Sequence, residues 1–127
     1  RGCRKDKAAG RRRRMEIVIE IPDEIKHYSM DIQHFVEFMI HKLWIHRRKG
    51  HWEDININEA MEKLRGEITE LESVLNYPTP EYPMERDRYF KECCKEAADV
   101  ANYALIICSS LKRQHHQYEM DLARGTT

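Results

Sequence analysis

At 127 residues the chain has room for one folded domain around one core, and not for two. Its 22 basic and 22 acidic side chains cancel, but unevenly: residues 1–14 carry eight Arg or Lys against the single acid Asp6, which leaves 14 basic and 21 acidic residues in the remainder. No apolar run approaches the roughly 20 residues of a membrane span. Cys3, Cys93, Cys94 and Cys108 fit neither a disulfide framework nor, with His115 and His116, the usual zinc spacings, so the expectation is a soluble protein of a reducing cytoplasm.

Residues 1–14 read as a disordered basic tail, or as an upstream remnant ahead of Met15, because clustered like charges repel and nothing there builds a core. Arg11 to Arg14 offer a contact for nucleic acid or a membrane surface, yet the remnant reading is preferred, and neither is an expected partner. Residues 15–21, Met-Glu-Ile-Val-Ile-Glu-Ile, are rich in branched side chains and suit a short strand or an extended arm that Pro22 ends. From about Asp31 to Lys49, Ile32, Phe35, Val36, Met39 and Leu43 recur at three and four, predicting an amphipathic helix that Gly50 terminates.

A loop with His51 and Trp52 follows. Asn56, with Glu59 three residues later, then signals a capped helix start. That second helix runs to about Asn76, with Ile57, Met61, Leu64, Ile68, Leu71 and Leu75 forming a seam that packs helices nearly side by side. Three prolines between 77 and 83 make a linker. The third helix extends from about Met84 to beyond Leu111, and residues 115–127 are expected to be a flexible tail. The sum is an all-α antiparallel helical bundle over residues 15–114, completed by self-association because short helices expose apolar stripes that one chain does not cover.

The second helix carries Glu67-Ile-Thr-Glu70, and the third, after 25 intervening residues, carries Glu96-Ala-Ala-Asp99. Acids three apart lie about 60° apart on one helix face, so four carboxylates are able to converge. The competing reading is a solvated charged face, where acids are commonly balanced by Lys or Arg three or four residues away. Glu70 and Glu96 have no such neighbour, whereas Glu67 has Lys63 and Asp99 has Lys95. Asp99 and Asn102 interrupt the largely apolar run from Glu96 to Leu111, and a buried carboxylate needs compensation. Magnesium, a hard ion taking oxygen ligands, supplies it, and with it a chemistry of phosphate hydrolysis in which a remaining Glu orients water or takes its proton.

These paired motifs, with His-Arg-Arg-Lys-Gly-His-Trp at 46–52, Leu-Arg-Gly-Glu-Ile-Thr-Glu-Leu at 64–71 and Glu-Ala-Ala-Asp-Val-Ala-Asn-Tyr at 96–103, make residues 41–111 resemble the MazG-like all-alpha nucleoside triphosphate pyrophosphohydrolases. The resemblance implies magnesium, with manganese as a substitute, on Glu67, Glu70, Glu96 and Asp99, with Glu70 and Glu96 serving catalysis. It implies deoxynucleoside triphosphate substrates, monophosphate and pyrophosphate as products, and a homodimer or homotetramer. Tyr103 matches a pocket residue of the related dCTP pyrophosphatases, and Trp52 resembles their Trp ahead of the second helix. The Lys-Gly-His-Trp segment is most similar to phage and bacterial members acting on dATP and dGTP; a dCTP- or dUTP-directed enzyme, or a non-catalytic helical binding module, is the alternative.

Beside the acids, Tyr103 is read as stacking on a base and Asn102 as bonding sugar or base, with interface packing the alternative for both. Lys42, Arg47, Arg48 and Lys49 end the first helix, where cations also serve the helix dipole; Lys49 and Arg48 are the candidates for triphosphate oxygens. Glu92 is an outer ligand or a solvated acid. His41 and Trp44 are read as packing residues.

Overall fold

The computed structural model describes residues 13–49 and 54–125, which form three α-helices and no strand. Residues 13–21 take no regular structure, so residues 15–21, expected as a strand or arm, are an arm. A short 3-10 helix, Asp23–Tyr28, follows Pro22 and leads directly into α1, Ser29–Ile45. That helix stops four residues short of the expected Lys49. Its end tightens into a turn in which His46 N–H reaches the Lys42 carbonyl and Lys49 N–H reaches that of His46, while the Arg47 guanidinium takes the Trp44 carbonyl at 2.8 Å. Carbonyls left open at a helix end are met here by local donors. Gly50, the expected terminator, lies outside the described residues.

α2, Ile57–Leu75, starts as its sequence dictates: Asn56 sits in extended geometry and its Oδ1 accepts the Glu59 N–H at 2.8 Å. α3, Pro83–Arg124, opens with proline in the first turn, where the missing N–H costs nothing, and closes on Gly125 at φ 71°. Residues 115–124, where a flexible tail is expected, continue the helix. Polar side chains do not break a helix when they pair one turn apart, as His115 and Glu119 do at 3.2 Å and Gln117 and Asp121 at 2.9 Å.

α2 and α3 run antiparallel, as three meeting points along them show. Ala60 packs by Ile106, Glu67 and Glu70 approach Glu96, and the Tyr89 hydroxyl donates to the Val74 carbonyl at 3.1 Å, close also to those of Leu75 and Tyr77. Tyr89 thus pins the start of α3 to the end of α2 across the proline linker. α1 also packs on α3, while α1 and α2 do not contact each other, so α3 is the spine and a cleft opens between its two neighbours. Asn102, mid-helix and 4% exposed, spans the α1 side of that cleft by donating to the Met39 carbonyl at 3.1 Å.

The core is thin. Ile55, Ala60 and Ile106 form its buried cluster, with Tyr103 and Ile107 against it, and no large side chain is fully buried among the described residues. Ile32, Val36, Ile40, Phe90 and Leu111 stay exposed. None of the described helices is long and apolar enough to cross a membrane.

Two substitutions test these local readings by urea denaturation. Asn56→Ala removes the cap of α2 and should lower stability by about 1 kcal/mol. Gly66 stands inside α2 with nothing within 4 Å of a Cβ placed there, so Gly66→Ala should raise stability by about 0.5–1 kcal/mol through the unfolded chain's lost freedom.

Candidate functional site

α2 sets Glu67 and Glu70 one turn apart on the side that faces α3, and α3 answers with Glu96; one carboxylate oxygen from each lies within 4.8 Å of the others. Oxygens so close repel unless a proton or a cation separates them. Glu67 Oε2 and Glu96 Oε2 are buried and have no hydrogen-bond partner, although buried polar atoms are ordinarily satisfied. Burial pushes the Glu67 pKa up from 4.5 to about 7, helped by the charge of Glu70, the charge of Asp99, a hydrogen bond with Glu70 and the charge of Glu96. Glu96 is raised as well, by burial first, then by Asp99 and Glu70, with Lys42 pulling the other way.

Asp99, the fourth expected ligand, stands next to this triangle but is engaged elsewhere: Lys42 of α1 holds its Oδ2 at 3.0 Å, both side chains largely buried. The structure thus brings three of the four acids to one point and gives the fourth a lysine. Lys42, read from sequence as serving the helix end, has this more specific partner. The donor set suits a hard divalent cation, since three carboxylates offer oxygen ligands and two of them present oxygens that nothing else satisfies.

A cavity of about 600 Å3 adjoins the triangle, with Glu67 and Asp99 in its wall. Lys42 and Lys49 come from the α1 side and Lys63 from α2, while Ile55, Ile106 and Tyr103 form an apolar part and Asn102 a polar one. Lys63 was visible in the sequence only as a neighbour balancing Glu67. Its spacing of one turn from Glu67 is the same signal that carries it into the cavity. His46 and Asp54 also line the cavity and were missed as site residues, although His46 opens the 46–52 motif that carries the resemblance. His46 is lowered from 6.5 by burial and by the nearby Lys42 and Lys49, against the pull of Asp99, and so is neutral at neutral pH.

Of the remaining expected residues, Lys49, Asn102 and Tyr103 reach the cavity. Arg48 is exposed and does not line it, because the turn after Ile45 sends successive side chains different ways. Arg47 lies over the Trp44 ring at 3.5 Å, and Trp44 itself is exposed and does not line the cavity. Trp52 and His51 lie outside the described residues. Asn102 anchors α1 with its amide nitrogen, and its Oδ1 is buried without a partner. Tyr103 is raised above 10 by burial and by Glu67, Asp99 and Glu70, so its hydroxyl stays protonated. Glu92 is exposed and contributes only weakly to Glu96.

Comparisons of the chain with protein-family models, with curated proteins and with solved structures find no significant match. The fold and site define an all-α protein with a crowded carboxylate triangle beside a lysine-bearing cavity.

The crowding predicts a linked dependence on pH and cation. Glu67 binds its proton more tightly folded, at about 7, than unfolded, at 4.5. The folded state therefore holds a proton the unfolded chain has lost, and stability falls as pH rises between those values. Millimolar magnesium should raise Tm clearly at pH 8 and little at pH 5, and Glu67→Gln should raise the metal-free Tm at pH 8 while removing the magnesium increment. A Tm indifferent to magnesium at both pH values would count against a cation site.

Proposed function

We propose that the protein is a MazG-like pyrophosphohydrolase that cleaves deoxynucleoside triphosphates to the monophosphate and pyrophosphate with magnesium, working as a homo-oligomer. The observation that carries this reading is the meeting of Glu67, Glu70 and Glu96 within 4.8 Å at the edge of a cavity lined by three lysines. Acids alone would suit a free cation, and lysines alone an anion. Their adjacency suits a ligand that brings phosphate oxygens and metal together.

Glu67, Glu70 and Glu96 are the residues that would hold magnesium, which would neutralise charge at phosphate oxygens and make it easier for water to lose a proton and become a nucleophile. The protein's own groups do the rest. Lys49 and Lys63 bind triphosphate oxygens as point charges. Lys42 turns from Asp99 toward the same oxygens when substrate enters, freeing Asp99 to join the other acids. Glu96, one of the three acids of the triangle, is the carboxylate to take the proton of the attacking water. Tyr103 offers a ring face to the base beside Ile55 and Ile106, and Asn102, held by Met39, presents a fixed acceptor for a base N–H. The exposed apolar residues of α1 and the thin core support assembly with further copies.

The test is pyrophosphate release from a panel of the four dNTPs and dUTP with magnesium. Purine dNTPs are expected to lead; preference for dCTP or dUTP would move the assignment to a pyrimidine enzyme sharing the same metal residues. Glu70→Gln and Asp99→Asn should each lower kcat by about 100-fold or more with helical circular dichroism unchanged. Full activity in both variants, or no pyrophosphate from any nucleotide, overturns the reading.

A further inference from the structure

The arm ahead of α1 has a pattern that neither the fold nor the cavity uses. From Arg14 to Ile21 the residues alternate, Met15, Ile17, Ile19 and Ile21 on one side and Arg14, Glu16, Val18 and Glu20 on the other. That is the two-residue period of a strand with one apolar face. Yet Met15, Ile17, Val18 and Ile19 are 75–89% exposed, and among the described residues no backbone hydrogen bond reaches 13–21. A segment with strand periodicity, unpaired amides and an uncovered apolar side lacks a partner strand.

We infer that this arm pairs with the same arm of a second copy, as an antiparallel two-stranded ribbon that places Ile17 opposite Ile17. The charges select both the partner and the register. With Ile17 on the two-fold axis, Arg14 faces the partner's Glu20 at both ends of the ribbon, Met15 faces Ile19, and Glu16 faces Val18. Moving the axis to Val18 sets Glu16 against Glu20 twice, and a parallel in-register pair sets every charge against its own kind. Directly opposed like charges destabilise a ladder and opposed unlike charges stabilise it. A register shifted by a single residue mixes the apolar and polar faces and is excluded by burial. Pro22 donates no N–H and ends the ribbon. Two strands alone are marginal in water, so the apolar face needs a cover. The exposed Ile25, Tyr28 and Ile32 that follow Pro22 supply the nearest one. This association holds whatever the cavity binds, and it fails or stands separately from hydrolysis.

Two measurements on the full chain test it. In a variant whose four native cysteines are serine, Ile17→Cys should form a disulfide-linked dimer under mild oxidation, and Val18→Cys should do so far more slowly. Opposed Cβ atoms lie within disulfide reach, whereas the Val18 pair, offset by two residues, exceeds it. By sedimentation velocity, Glu20→Arg should raise the dimer dissociation constant by about tenfold, and adding Arg14→Glu should restore it. A monomeric wild type overturns the proposal. So does a dissociation constant unmoved by Glu20→Arg, a double variant that does not recover, or crosslinking at position 18 as fast as at 17.

Discussion

Three carboxylates share one point on the seam between α2 and α3, and much of the chain is arranged around that repulsion. Glu67 and Glu70 leave α2 toward the same place that Glu96 reaches from α3. Isolated from charge of the opposite sign, such a group is costly, because each oxygen has lost water and gained a negative neighbour. One compensation is internal, the proton that Glu67 keeps up to about pH 7. Another is Lys42, which crosses from α1 to Asp99 and lowers the proton affinity of Glu96. Two oxygens are left with no partner at all. A site that tolerates this in the resting chain is built for something other than maximal stability.

The same arrangement explains why α1 belongs to the site although it does not touch α2. Helix α3 carries Glu96 toward α2 and, about 120° away around the helix, Asn102 toward α1. Asn102 fixes the distance of α1 through the Met39 carbonyl, and one turn later Lys42 is set against Asp99. The cleft that results has Lys42 and Lys49 on the α1 side, Glu67 together with Lys63 on the α2 side, and Asp99, Tyr103 and Ile106 on the α3 floor.

Outside the cleft the balance is different. The buried cluster is small, and Ile32, Ile40, Phe90, Leu105 and Leu111 remain at the surface of α1 and α3. Apolar area left in water is stabilisation not yet realised. Tyr89 and the proline linker hold α2 and α3 together locally, but among the described residues nothing comparable covers the exposed Ile32, Val36 and Ile40 of α1 or the arm before it.

Much of this was written in periodicity and punctuation. The Asn56 cap and the prolines at 78, 80 and 83 determine α2 and the start of α3 to within about a residue, because helix formation and termination depend on neighbours a turn away, whereas the ends of α1 and α3 fall elsewhere than their spacing suggests. The pairing of acids at intervals of three likewise determines that Glu67 and Glu70 share a face. Sequence did not determine that Asp99 would turn to Lys42, that Arg48 would point away while Lys49 faced inward, or that α3 would run on to Arg124. It also did not determine that Lys63 and His46 would meet in one cavity. Those outcomes depend on which helix faces which, and at what angle a turn releases the chain. Only tertiary packing decides such contacts, because charges 57 residues apart, as Lys42 and Asp99 are, become neighbours only when two helices close on a third.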